Sequence, residues 1–381
     1  MPTLEVQACP ACGHGNDADA VFCGRCVAPL RVRKLADLDA DDLRLCAAAL
    51  AEVLEPPTAP KGRDVEADAH TAELLDAYLN LYWLRPETAL WQAIDARTVH
   101  RWRSEHVRAP VLDLGCGDGT HVATMFGTRF EDSFDVFAGL DLQGADIFDA
   151  YDRQEYRPAV ARRGDSVACG VDIRPNMVRR AASLGVYEKL IVGDATRLSL
   201  PDASVSTVYS NVLRDLPDAG CEAALREVGR VLRPGGHLIL PACTPAWRDS
   251  LYFYPRGRAE AEAGNVEASR RMAELDRGRS ISFAQQISEQ EWRRRLERFD
   301  LEIVAREHTH SRETTRFWDV GLRPFAVPLL RWVNGLDAHA RLLIKRALVQ
   351  TLKKPLARLL SVPPGADCPH VTYLVRKPSR V

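Results

Sequence analysis

The sequence lacks any strong imbalance of charge. Fifty-one lysines and arginines stand against 52 aspartates and glutamates, a formal net charge of −1. That balance excludes a general attraction to nucleic acid or to acidic membranes, so any such contact needs a local patch. Long apolar runs are also missing: no stretch approaches the ~18 residues that cross a bilayer. Met1–Gln7 has no cationic start followed by an apolar segment, the mark of a secretory leader. Nor do the ten cysteines form a secreted disulfide framework, because four sit in two C-x-x-C pairs and six are scattered singly. These absences point to a cytoplasmic chain. No internal repeat is present. With 46% hydrophobic and 27% charged residues, the 381 positions have globular proportions.

Residues 1–33 are Cys- and Gly-rich with few large apolar side chains, too little for a core of their own. Cys9-Pro-Ala-Cys12 and Cys23-Gly-Arg-Cys26 can each present two thiolates from one side, and together they complete a tetrahedral S₄ site. Zinc would then supply the folding energy that the segment lacks. Residues 34–105 read as a helical lead with a linker. Apolar residues from Leu35 to Leu54 recur at helical spacing, with Asp37, Asp39, Asp41 and Asp42 clustered near the start. Glu55–Gly62 is Pro-rich and reads as the linker. Two more helices are expected near 66–83 and 86–104, the second opening on Pro86 and Glu87.

From 106 to 381 short β-branched runs alternate with helical segments, the pattern of a parallel sheet with crossover helices. Strands are expected at Val111–Leu114, Val167–Asp172, Lys189–Gly193, Val205–Ser210, His237–Ala242, Leu301–Arg306 and His370–Arg376. Helices fit near 118–126, 175–185, 219–232 and 288–299. Insertions are expected near 128–165, 244–287 and 311–367, with Arg256–Gly278 as a charged, mobile helix or lid. The most informative stretch is Val111-Leu-Asp-Leu-Gly-Cys-Gly-Asp-Gly-Thr-His121, an apolar strand running into three glycines and then a helix. Glycine tolerates positive φ, and the helix start offers free N–H groups, so a small polar ligand is expected at the carboxyl end of this strand.

This string resembles the first motif of the class I S-adenosylmethionine-dependent methyltransferases, and the resemblance continues in order to Leu240. Ala168–Met177, Val192–Asp202, Val208–Leu213 and Glu227–Leu240 look like the family's later elements. It implies a doubly wound, mostly parallel, seven-stranded α/β sheet of Rossmann-like type with helical cap insertions. It also implies a set of S-adenosylmethionine contacts. Gly115, Cys116, Gly117 and Gly119 form the turn under the methionine portion, and Asp113 serves its amino-acid end. Asp172 takes the ribose hydroxyls, with Ile173 beside it; Asp194 and Ala195 receive the adenine. Asn211 stands next to the methyl group. The ribose acid departs from the family spacing. Asp141 lies nearer the usual ~20 residues after the glycines, whereas Asp172 leads directly into an amphipathic helix and the next strand, which is the βαβ order.

Methyl transfer is an in-line displacement, and a base is needed only if the acceptor must lose a proton. The candidates are His121, Asp215, His308 and His310; equally, His121 can cap its helix and His308 and His310 can be surface residues. The Asn-Pro-Pro-aromatic string of amide N-methylation is absent after the fourth strand, where Ser210-Asn-Val-Leu-Arg-Asp215 stands. The two cysteine pairs resemble the short zinc ribbons of many bacterial proteins, a module that can also dock a protein partner. Within 322–362, Arg323, Arg331, Arg341, Lys345, Arg346, Lys353, Lys354 and Arg358 share helical spacing with apolar residues, against Asp337. Such a segment can pack on the sheet or rest on an anionic membrane. A small-molecule or lipid-linked acceptor is the leading expectation. RNA base methylation and non-catalytic cofactor binding are the alternatives.

Overall fold

The computed structural model describes residues 6–9, 13–18, 20, 22, 23, 25, 30, 38–55, 69–140 and 156–379. At its centre is a seven-stranded sheet. The strands in chain order are β3 (Val111–Leu114), β6 (Val167–Asp172), β7 (Tyr187–Val192), β8 (Val205–Ser210), β9 (Leu232–Cys243), β10 (Glu302–His310) and β11 (His370–Arg376). Across the sheet they lie β10-β11-β9-β8-β3-β6-β7. β11 pairs antiparallel with both neighbours, while the pairs β9·β8, β8·β3, β3·β6 and β6·β7 are parallel. The chain therefore begins the sheet in the middle at β3 and winds outward in both directions. A ligand crevice is expected beside β3, where that direction reverses. β3 is buried along its whole length, as a central strand covered on both faces must be.

All seven expected strands are present; Val111–Leu114, Val167–Asp172, Val205–Ser210 and His370–Arg376 keep their expected ends, and the other three are shifted. β7 starts at Tyr187, two residues early, because Tyr187 pairs with Val167. β9 starts at Leu232 and β10 runs on to His310. The helices match the expected periodicity. α1 (Ala40–Leu54) opens on a full capping box, Asp39 accepting from the Asp41 and Asp42 N–H groups and Asp42 accepting from the Asp39 N–H. α2 (Ala69–Leu81) and α3 (Pro86–His106) follow. Their Leu74, Tyr78 and Ile94, with Trp83 of the turn between them, share one core with Val111, Val122 and Ile239 of the sheet region. α4 (Thr120–Met125), α5 (Pro175–Leu184) and α6 (Asp218–Val231) are the crossovers.

β1 (Val6–Ala8) and β2 (Gly15–Asp17) form a short antiparallel hairpin. β4 (Arg129–Phe130) and β5 (Val160–Arg162) form another inside the expected 128–165 insertion. Asp141 lies outside the described residues. The segment expected as a lid forms two helices, α7 (Phe253–Glu262) and α8 (Val266–Asp276). The start of α7 is fixed by the buried Asp319 carboxylate, which accepts from the Tyr252 and Phe253 N–H groups at 2.9 and 3.1 Å. α9 (Glu289–Glu297) leads into β10, and α10 (Arg312–Val320), α11 (Ala326–Asn334) and α12 (Ala338–Ser361) precede β11.

At least four of the basic residues expected on 322–362 have partners outside that segment. Arg341 donates to Asp135 at 2.6 Å, and Arg346 and Lys353 pair with Asp132 and Asp76. Lys345 is buried and donates to the Asp132 and Phe134 carbonyls. Burial pushes the Lys345 ammonium down to about 8. The sequence window counted only Asp337, because acids that meet these cations lie some 200 residues or more earlier in the chain.

Candidate active site

The glycine loop joins β3 to α4 and is tied to β6 by its own backbone. The Gly115 and Cys116 N–H groups donate to the Val171 carbonyl at 2.8 and 3.0 Å. The Gly117 N–H donates to Asp172 Oδ2 at 2.9 Å, and the Arg174 N–H donates to Asp172 Oδ1 at 2.9 Å. Each oxygen of that half-buried carboxylate keeps lone-pair capacity for a further donor. Two glycines show distinct requirements. Gly119 (φ +77) has no room: a Cβ there would stand 2.7 Å from the Tyr187 ring. Gly117 (φ +55) needs the left-handed backbone, but a Cβ there would meet nothing within 4 Å. The loop is thus packed underneath and open above.

Asp113 is buried one strand position before this loop, and the Tyr187 hydroxyl donates to its Oδ2 at 2.6 Å. Burial pushes the Asp113 carboxyl up to about 7, partly offset by the tyrosine and reinforced by Asp172. The Cys116 thiol is driven far above its usual range by burial and by Asp113 and Asp172, so it packs as a neutral group. Beyond Asp172, Ile173 is 66% exposed and Val192 on the adjacent strand is 52% exposed. Both are apolar side chains presented beside a carboxylate. Asp194 is exposed and Ala195 half-buried; the Thr196 N–H turns back onto Asp194 at 2.8 Å. Arg230 of α6 holds the loop that follows, donating to the Leu198 and Leu200 carbonyls and to Glu227 and Asp202.

The sequence candidates fall into two groups around the ends of the strands. Asn211 lies at the end of β8, and its Nδ2 donates to the Tyr209 hydroxyl at 2.9 Å. That same hydroxyl lies 2.9 Å from His121 Nε2. Burial and the Arg214 charge push the His121 imidazole down to about 3, so it is neutral. His121 therefore belongs with Tyr209 and Asn211 rather than with a solvated helix start. His308 is half-buried on β10, and Asp215 is largely exposed with Arg214 Nε 3.9 Å away.

His310 is fully buried in a second cluster that sequence reasoning missed. The Arg214 guanidinium lies 2.7 Å from His370 Nε2. Guanidinium only donates, so His370 Nε2 accepts and its Nδ1 carries the hydrogen. The shortest onward path runs through Thr309 Oγ1, 2.8 Å from His370 Nδ1 and 3.0 Å from His310 Nδ1. Along that path His310 Nδ1 accepts, and Nε2 carries its hydrogen. Trp91 stacks on His310 with centroids 3.7 Å apart, and Asp95 lies one turn along the same helix. Ligand-type atoms of Asp95, His310 and His370 lie within 4.8 Å of one another. A guanidinium already seated on His370 disfavours a cation there. The Asp95 carboxyl is pushed up to about 7 by burial, against the pull of Arg214 and the Trp91 side chain. Both imidazoles are held neutral by burial and neighbouring positive charge.

Cys9 and Cys23 are both buried in one small cluster with Leu30 and Ile281. The Arg25 N–H points to Cys23 Sγ at 3.4 Å, and the Gly13 N–H closes the turn onto the Cys9 carbonyl at 2.8 Å. Cys12 and Cys26 lie outside the described residues.

Residues 153–240 match the family model described as a methyltransferase domain. That segment is methyltransferase-like. It holds Asp172, Asp194 and Asn211 but not the glycine loop, which the fold brings against it through Gly117 and Asp172. Over 88 residues the chain is 39% identical to the ubiquinone/menaquinone biosynthesis C-methyltransferase UbiE of Caulobacter sp. (strain K31), 22% of this chain and 34% of the relative. The chain thus spans about a third of the length of that relative. Among solved structures, the [4+2]-cyclase SpnF is 16% identical at a TM-score of 0.42, covering 93% of this chain and 99% of its own. An S-adenosylmethionine-dependent methyltransferase from Mesorhizobium loti is 16% identical at a TM-score of 0.35, covering 75% of this chain and 99% of its own.

Proposed function

We propose that the protein transfers a methyl group from S-adenosylmethionine to a small-molecule or lipid-linked acceptor. The carrying observation is the Gly117–Asp172 hydrogen bond, which joins the glycine loop to the tip of a strand in the methyltransferase-like segment. The residues present suit the cofactor. Gly117 leaves the space above its Cα free of side chain, Asp172 offers two acceptors for a ribose diol, and exposed Ile173 and Val192 offer apolar surface to a base. Asp194 and Ala195 would serve the adenine edge, with Asp113 behind the methionine end. When bound, the sulfonium supplies an activated methyl group. This chain's own task is orientation, which alone accounts for much of the barrier in such displacements.

The test is transfer of isotopically labelled methyl groups into fractions of small molecules, extracted lipid and RNA. Label in a small-molecule or lipid fraction, lost in Asp172→Ala, is the expected result. Label in RNA alone would replace this reading with RNA methylation, and no label with intact cofactor binding would favour a binding protein. For the N-terminal hairpin we propose a structural zinc on Cys9, Cys12, Cys23 and Cys26. It is supported by the buried pairing of Cys9 with Cys23 and by the amide aimed at Cys23 Sγ. A peripheral lipid contact through α11–α12 would use Arg331, exposed Trp332 and exposed Leu343. Retention on anionic liposomes at low salt tests it.

A further inference from the structure

The strand beside the glycine loop has a glycine of its own. In the parallel pairing of β3 with β6, Asp113 stands opposite Gly170. A Cβ on Gly170 would stand 2.9 Å from Cδ1 and Cε1 of the Tyr187 ring. A Cβ on Gly119, just before α4, would stand 2.7 Å from Cε2, on the other edge of that ring. Two positions on different elements are thus left bare around one aromatic side chain. Tyr187 starts on β7, and β6 lies between β7 and β3. The ring crosses β6 over Gly170, and its hydroxyl donates to Asp113 Oδ2 at 2.6 Å. Held on both edges, the phenol cannot swing away without opening the packing under the loop.

The direction of the hydrogen bond is fixed as well. Burial, and then the Asp113 charge, keep the Tyr187 hydroxyl protonated, well above the ordinary phenol value. It therefore donates and the carboxylate accepts. The groups that face Asp113 are Tyr187 of β7, Asp172 and Cys169 of β6, Tyr209 of β8 and Cys116 of the loop, with Asp118 acting on Tyr187 and Cys116. Each of these is neutral or acidic. Burial pushes the Asp113 carboxyl up, the Tyr187 hydrogen bond draws it down, Asp172 pushes it up again, and the balance falls at about 7. A carboxylate in such company is the complement of a cation.

We propose that Tyr187 is a positioning residue for the amino-acid end of the cofactor: its hydroxyl fixes the Asp113 carboxylate at the foot of the glycine loop, and that carboxylate attracts the ligand's ammonium group. The ammonium is that of S-adenosylmethionine or S-adenosylhomocysteine, and so rests on the methyltransferase reading; the Tyr187–Asp113 contact does not. Tyr187 acts through Asp113. Its place escapes the sequence, where the strand is expected to begin only at Lys189.

The test is calorimetric titration of full-length protein between about pH 6 and pH 8.5 with two ligands. One is S-adenosylhomocysteine. The other is 5′-methylthioadenosine, which keeps the adenosine and the sulfur but lacks the amino-acid end. At about pH 8 wild type should bind S-adenosylhomocysteine roughly tenfold or more tightly, the scale of one charge-assisted hydrogen bond. That preference should shrink below about pH 7, as Asp113 takes up its proton. Tyr187→Phe keeps the ring and its packing and loses only the hydroxyl. Its affinity for methylthioadenosine should be unchanged, while the pH below which the preference shrinks rises by about one unit. Asp113→Asn should leave a smaller preference that is flat across this range, and adding Tyr187→Phe to it should change nothing further. Equal weakening of both ligands in Tyr187→Phe would reduce the tyrosine to packing and overturn its assignment. So would a pH profile that does not move, or a wild type that binds both ligands equally at every pH. Wild type that binds neither ligand overturns the methyltransferase reading, and the assignment with it.

Discussion

The two halves of the sheet's carboxyl end satisfy their polar groups in different ways. Around β3, β6 and β7 the loop amides close on Val171 and Asp172, Asp113 is met by Tyr187, and Arg230 fastens the loop beyond Asp194. Around β8, β10 and β11 polar side chains are buried too, yet Asn211, Arg214, Asp95 and His310 each leave an atom without a hydrogen bond among the described residues. One half is complete as folded. The other leaves several buried atoms without a hydrogen bond among the described residues, each with a desolvation cost.

The largest expected effect breaks the first half. Gly119→Ala forces a Cβ against Tyr187 and keeps φ at +77, which together should cost about 2–4 kcal/mol in urea unfolding. Gly117→Ala carries only the backbone strain, about 1–2 kcal/mol. It should nevertheless weaken S-adenosylhomocysteine binding, because the added methyl enters the open side of the loop. If both substitutions destabilise equally, the distinction between packed and open glycines is wrong.

The next effect separates the halves by pH. The Asp95 carboxyl titrates at about 7 in the folded protein and near its ordinary ~3.9 when unfolded. A folded value above the unfolded one means that the native state holds its proton more tightly. The associated stability is therefore full below the unfolded value and is lost as pH rises through the folded one. Asp95→Asn should leave stability nearly unchanged near pH 3, below the unfolded value, and raise it by about 1–3 kcal/mol at pH 8, as read by denaturation at the two pH values. Destabilisation at both would make Asp95 part of the scaffold.

Smaller in energy, Asp172→Ala removes the acceptor for the Gly117 and Arg174 amides. It should cost about 1 kcal/mol of stability while lowering cofactor affinity at least about tenfold. Smallest is Lys353→Ala. It breaks a pair with Asp76 whose side chains are 36% and 49% exposed, so a change below about 1 kcal/mol is expected. It lies outside both halves and calibrates the others.

The difference between the halves also explains what the sequence disclosed. The glycine loop, Asp172 and Asp194 are local strings, each a strand end with its turn, so they can be read along the chain. The choice of Asp172 follows from the βαβ order, and β6 does lie beside β3 with β7 beyond it. The second cluster is assembled from α3, the loop after β8, and the facing ends of β10 and β11. Asp95 and His370 are 275 positions apart, and no spacing rule joins them. In sequence His310 reads only as a histidine at a strand end, because strand alternation does not reveal that β10 runs on to pair His310 with His370. Similarly, the cations of α12 looked unpaired in sequence, since Asp132, Asp135 and Asp76 come from distant elements.

The most direct measurement is calorimetric titration of S-adenosylmethionine and S-adenosylhomocysteine into zinc-loaded wild-type protein and into Asp172→Ala. Micromolar binding by wild type, weakened at least about tenfold in the variant, is the predicted result. Well-folded wild-type protein that binds neither compound, or a variant that binds both as tightly as wild type, would contradict it.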